Sequence, residues 1–178
     1  MTVTIRETAE TSVRVELRPG TGAGNIETGL TFFDHMLTAL ARYSGLDLDV
    51  SARGDLRHHI IEDVALTLGR AFRESVPAGA ARYGSRTVPM DDALVQATVD
   101  IGGRPYYQGP LPNRLYDHWM RSFSDEARST IHIVVLRGTD RHHIIEAAFK
   151  ALGFALRDAL VDTGATMSTK GQVSVRVE

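Results

Sequence analysis

An internal repeat constrains this chain more than any other feature. Residues 57–75, RHHIIEDVALTLGRAFRES, match residues 141–159, RHHIIEAAFKALGFALRDA, at an offset of 84 with ten identities in nineteen positions. Six of the ten form the block Arg-His-His-Ile-Ile-Glu. An Asp-His pair precedes each copy: His35 of Asp34-His35 stands 23 residues before His58, and His118 of Asp117-His118 stands 24 residues before His142. Similarity on this scale predicts one structural unit made twice. Residues 1–84 are read as the first half-repeat and residues 85–178 as the second, the two together forming one domain.

Alternation of apolar and polar residues predicts half-buried strands at Val13–Leu17, Leu46–Val50, Leu94–Val99, Ile131–Leu136 and Val173–Val177. Apolar residues at three and four spacing, such as Ile61, Ala65, Leu68 and Phe72, predict amphipathic helices over 32–43, 58–76, about 116–127 and 142–161. Strands and helices interleave throughout. The expected fold class is α+β: a two-layer α/β sandwich of internally duplicated half-domains, each with a mainly antiparallel sheet covered by helices.

A chain of 178 residues is long enough to bury a core without covalent staples. Twenty basic against 22 acidic residues leave a formal charge of −2, so no broad field favours nucleic acid or a membrane surface as partner. There is no cysteine, and any metal must be held by nitrogen and oxygen donors. No run of about 18 apolar residues and no secretory pattern appears; the expected location is cytoplasmic.

Six of the seven histidines occupy the duplicated positions: His35, His58, His59, His118, His142 and His143. On a helix, His58 shares a face with Glu62, four residues on, while His59 is turned about 100° away. The second copy repeats this with His142, Glu146 and His143. Adjacent histidines then serve different centres, and eight donors divide into two four-ligand sets. Imidazole and carboxylate suit manganese, iron, cobalt or zinc, and a six-coordinate ion with four protein ligands keeps two positions for substrate or water. His132 stands outside the pattern in an apolar strand and is expected to be packed or to support a ligand.

Candidate anion binders sit in loops or near element ends. Arg104 follows two glycines that let backbone approach a ligand, and Ser168-Thr169-Lys170-Gly171 offers hydroxyls, amides and an ammonium together. Each is equally compatible with an ordinary surface turn. Arg82 and Lys150 can add to one anion site, although Lys150, four residues after Glu146, can instead pair with that carboxylate.

Taken in order, Phe33-Asp34-His35-Met36-Leu37, the two His-His-x-x-Glu blocks, Pro89-Met90-Asp91-Asp92-Ala93-Leu94, Gly103-Arg104-Pro105, Phe149-Lys150-Ala151 and Ser168-Thr169-Lys170-Gly171 resemble the imidazoleglycerol-phosphate dehydratase family over nearly the whole length. The resemblance implies a hydro-lyase of histidine biosynthesis that converts imidazoleglycerol phosphate to imidazole acetol phosphate at a dinuclear manganese site, two Mn²⁺ per subunit, which also binds the substrate imidazole. It implies His35, His58, His59, Glu62, His118, His142, His143 and Glu146 as metal ligands. It also implies phosphate or substrate contacts from Arg82, Arg104, Lys150, Ser168 and Lys170. The family motif Arg-x-Thr-x-Glu-Thr matches Arg6-Glu7-Thr8-Ala9-Glu10-Thr11, which makes Glu10 the implied acid/base; by itself Glu10 reads as a surface carboxylate. A homo-oligomer of 24 subunits with metal sites between subunits is likewise implied.

Two departures stand out. Where many members of the family carry Ile-Asp-Asp-His-His-Thr-Val-Glu-Asp, the segment Gly54–Asp63 lacks the paired aspartates, and the loop before His58 is a few residues shorter. His118-Trp119-Met120 replaces a commoner His-Phe-Phe. Rival readings are a metal-dependent hydrolase using the same donors and a carboxylate-bridged metal storage or sensor protein. The latter calls for a four-helix bundle with Glu before His, whereas here His precedes Glu and strands are abundant.

Overall fold

The computed structural model describes residues 1–165, and it builds the same six elements twice. The first half is β1 (Thr2–Glu7), β2 (Thr11–Pro19), β3 (Ile26–Glu27), α1 (Thr31–Ser44), β4 (Leu46–Gly54) and α2 (Arg57–Ser75). The second is β5 (Tyr83–Met90), β6 (Ala93–Asp100), β7 (Tyr106–Gln108), α3 (Arg114–Ala127), β8 (Thr130–Arg137) and α4 (Arg141–Ala159). Strand order is β1-β2-β4-β3 in one sheet and β5-β6-β8-β7 in the other. Pairing is antiparallel except for β3 with β4 and β7 with β8. The expected duplicated arrangement of mainly antiparallel sheets covered by helices is therefore what forms. The expected strand at Val173–Val177 lies outside the described residues.

Alternation explains the central strands. In β2, Val13, Val15 and Leu17 are buried while Ser12 and Arg14 face out. Leu48 and Val50 of β4 continue that apolar surface, and Ile61, Ala65, Leu68 and Phe72 of α2 lie in the same core. The first copy of the helix packs on β1, β2 and β4, and its repeat α4 packs on β5 and β6. Removing each large apolar side chain from water contributes roughly 1.5–3 kcal/mol.

The halves join through helices, α2 against α3 and α1 against α4. A repeated glycine permits each close approach. A Cβ on Gly69 would stand 2.8 Å from the Phe123 carbonyl oxygen, and one on Gly153, at the same place in the repeat, would stand 3.0 Å from the Leu40 carbonyl oxygen. Between α3 and α4, Trp119 stacks on Phe123 of its own helix with ring planes 4° apart and tilts against Phe149 at 4.7 Å. The substitution at Trp119-Met120 thus lies in the core, where both residues are fully buried.

His132 corrects one expectation. It lies on the exposed face of β8, 5.5 Å from the Tyr106 ring, because the strand's inward residues are Ile131 and Ile133.

Candidate metal centre

The N-terminal turns of the four helices bring six of the eight candidate donors into two triplets. In the first, His58 Nε2 lies 3.3 Å from Glu62 Oε2, and His118 Nε2 of α3 lies 3.2 Å from Glu62 Oε1. The His58 and His118 rings stack at 5.3 Å. In the second, Glu146 Oε2 lies 3.1 Å from His142 Nε2 and 3.3 Å from His35 Nε2 of α1. Each triplet takes its His-x-x-x-Glu pair from one half and its third histidine from the other. The i,i+4 geometry was legible in the sequence; the exchange of His35 and His118 follows from how α1 meets α4 and α2 meets α3.

His59 and His143 point elsewhere, as their rotation on the helix requires. His59 Nδ1 is 2.8 Å from Asp55 Oδ1 and 3.6 Å from Glu10 Oε2. His143 Nδ1 is 2.8 Å from Asp92 Oδ1, and its Nε2 is 3.3 Å from Asp91 Oδ2. Hydrogen bonding to Asp55 raises the His59 pKa and bonding to Asp92 raises that of His143, each against a smaller opposing effect of desolvation. Asp92 is held far below the usual carboxylate range, first by the Thr139 backbone N–H, then by His143 and the Asp140 N–H. A carboxylate on Nδ1 thus orients each ring, and His143 in addition keeps its Nε2 beside Asp91. Asp55, in the shortened segment before α2, thus supplies what the missing paired aspartates put in question.

Neighbouring residues hold these positions. The aspartates of the Asp-His pairs lie apart from the triplets: Asp34 accepts from the Thr28 backbone N–H at 3.0 Å, and Asp117 accepts from the Tyr107 hydroxyl at 2.7 Å and the Leu111 N–H at 3.1 Å. They fix the loops entering α1 and α3, and so aim His35 and His118. The Glu10 turn is fixed similarly. Thr8 Oγ1 accepts from the N–H groups of Glu10 and Thr11, while Arg6 and the Thr11 hydroxyl both donate to Asp63 beside Glu62. The Arg-x-Thr-x-Glu-Thr spacing is therefore a clamp between the β1–β2 turn and α2. The corresponding β5–β6 turn carries Asp91 and Asp92 against His143, a parallel that sequence reading did not find because the two turns differ in length.

The anion candidates are spread out. Arg82 pairs with Asp100 through Nε at 2.6 Å and lies beside the glycine loop that leads to Arg104. Arg104 is exposed. Lys150 takes the alternative that its spacing allowed, with Nζ 2.8 Å from Glu146 Oε1. Ser168 and Lys170 lie outside the described residues.

The first triplet fits a metal ion on a specific observation: His118 Nε2 is buried and makes no well-aligned hydrogen bond, although Glu62 is close. His58, Glu62 and His118 each offer a donor atom, all within 4.8 Å of one another. Two imidazoles and one carboxylate suit a divalent transition metal.

A twice-made βββαβα unit, with His/Glu triplets formed across its two halves, defines a duplicated α/β protein whose first triplet could hold a metal ion. Residues 28–156 match the family model for imidazoleglycerol-phosphate dehydratase, and the chain belongs to that family. It is 47% identical to the imidazoleglycerol-phosphate dehydratase of Salinispora tropica, over 93% of this chain and 95% of that protein. It is 48% identical to the one from Pyrobaculum calidifontis, over 93% and 96%. The structure resembles the Pyrococcus furiosus enzyme with a TM-score of 0.86 at 42% identity, covering 95% of this chain and 99% of that one. For the Staphylococcus aureus enzyme the TM-score is 0.79 at 33% identity, covering 90% and 99%. The curated relatives are named imidazoleglycerol-phosphate dehydratase, an enzyme of the hydro-lyase class. No helix among the described residues is long and apolar enough to cross a membrane.

Proposed function

We propose that the chain dehydrates imidazoleglycerol phosphate to imidazole acetol phosphate in histidine biosynthesis, in the cytoplasm, with two Mn²⁺ per subunit. The observation that carries this reading is the buried His118 Nε2, which faces Glu62 and His58 without a well-aligned hydrogen bond, in a chain of this family. His58, Glu62 and His118 hold one ion; His142, Glu146 and His35 hold the other. His59 and His143, turned away from both triplets, supply the fourth donors to sites on neighbouring copies, which makes a homo-oligomer, of 24 subunits by resemblance, necessary for complete centres.

Bound metal supplies a Lewis acid that draws electrons from the substrate imidazole. The hydrogen to be removed from carbon is a poor acid, so loss of the hydroxyl depends on that withdrawal. Glu10, 3.6 Å from His59, moves the proton to or from carbon as general base and acid. Arg82, Arg104, Ser168 and Lys170 grip the phosphate, with Lys150 near the substrate, and so fix the reacting carbons relative to Glu10.

The test is turnover of imidazoleglycerol phosphate by chelator-stripped protein with and without Mn²⁺, following the ketone product. Manganese-dependent turnover is expected. Two bound ions per chain without dehydration would shift the reading to a metal-dependent hydrolase.

A further inference from the structure

The two triplets use the same residue types but differ in arrangement and charge, and among the described residues only His58, Glu62 and His118 bring a donor atom each within 4.8 Å of one another. Glu62 turns both oxygens to histidines, Oε2 to His58 and Oε1 to His118, and among the described residues no lysine or arginine pairs with it. Glu146 turns one oxygen, Oε2, to both His142 and His35, while Oε1 is taken by Lys150 at 2.8 Å. The repeat aligns position 150 with position 66, which is leucine. The carboxylates also differ in access, Glu62 being 34% exposed and Glu146 7%.

Lys150 is held where it is. Its side chain is 19% exposed, its Nζ donates to Met90 Sδ at 3.6 Å, and it lies 5.7 Å from the centre of the Tyr43 ring. An ion on Glu146 Oε2 must therefore share one carboxylate with a fixed ammonium. It gains one oxygen instead of two, and it meets a like charge at the far side of that carboxylate. An ion on Glu62 meets neither obstacle.

We propose that the two sites of each chain bind divalent cations unequally: His58, Glu62 and His118 form a tight site that fills first, and His35, His142 and Glu146 form a weaker one because Lys150 occupies half of its carboxylate. Lys150 acts as a positioning residue that keeps the second ion loosely held. This inference rests on the triplets being metal sites.

The experiment is a Mn²⁺ titration of the chelator-stripped full-length protein, with bound and free ion separated by electron paramagnetic resonance and heats measured by calorimetry. Two classes of one ion per chain are expected, at least about tenfold apart in affinity, as a divalent charge a few ångströms from an ammonium requires even in a watery dielectric. Lys150→Leu should tighten the weak class toward the strong one. Leu66→Lys, at a half-buried position, should weaken the strong class, and it carries the test if the first variant does not fold. His118→Ala should abolish the tight class and leave the weak one. Two equal sites, or both lysine exchanges without effect on the spacing of the classes, would overturn the inference while leaving the metal sites standing. No bound Mn²⁺ at all would overturn the metal sites themselves, and the inference with them.

Discussion

Arg6 of β1 donates through Nε to Asp63 of α2 at 2.7 Å, tying the strand that leads to Glu10 to the helix that carries Glu62. Asp63 is 8% exposed and also accepts the Thr11 hydroxyl. Asp63→Ala leaves that hydroxyl and the guanidinium without their acceptor, at a cost of about 2 kcal/mol, and loosens the Glu10 turn. Urea unfolding should show the lost stability and a kinetic assay a lowered kcat; an unchanged midpoint would contradict the clamp.

The roles proposed for Glu10 and Glu62 can be separated by experiment. Glu62→Ala removes a donor from the first triplet and should lower metal content. Glu10→Gln should keep the metal and lose roughly 10²–10⁴ in turnover, the usual worth of a placed acid/base. Equal metal loss in both variants, measured by elemental analysis after dialysis, would reverse the assignment.

Gly69→Ala and Gly153→Ala should destabilise alike, because each new methyl group meets backbone of the facing helix at 2.8–3.0 Å. Overpacking of this kind costs about 1–3 kcal/mol. Thermal unfolding of the two variants checks both the size and the equality of the effect.

Asp47 provides a pH signature away from the His/Glu triplets. It accepts from the backbone N–H groups of Thr21, Gly22 and Ala23 at 2.9, 3.1 and 2.9 Å. These bonds, Ala23 first, and the Arg18 charge outweigh a smaller desolvation effect and lower its pKa. A depressed folded-state pKa stabilises above the unfolded value, and that stability disappears as pH falls through the folded value. The Tm gap between the wild type and Asp47→Asn should therefore be constant near neutrality and close in acid; a gap that widens in acid would be the wrong sign.

Helices and central strands were legible because each buries one regular stripe. The outer strands were not. In β1, Val3 and Ile5 are 41% and 57% exposed, so its apolar residues mark the wrong face for a sequence reader, while its less exposed positions hold Thr2 and Thr4. β3 and β7 have two and three residues, too few for any period. At the site, the His-x-x-x-Glu pairs and the turning away of His59 and His143 followed from helical rotation. The pairing of His118 with Glu62 and of His35 with Glu146 did not, since it depends on contacts between helices far apart in sequence. The supporting carboxylates Asp55, Asp91 and Asp92 were equally hidden: nothing in their local sequence distinguishes a turn aspartate that fixes an imidazole from one that meets only solvent.

The borrowing of one histidine across the central seam has an evolutionary consequence. A lone half possesses His58 and Glu62, or His142 and Glu146, yet its own His35 or His118 is spent on the opposite triplet. Two separate identical halves, docked through the glycine contacts now made by Gly69 and Gly153, would each complete the other and yield two indistinguishable centres. Fusion of such a pair into one reading frame keeps the reciprocal arrangement and frees the two centres to drift apart, so that a lysine can arise opposite one glutamate and a leucine opposite its twin.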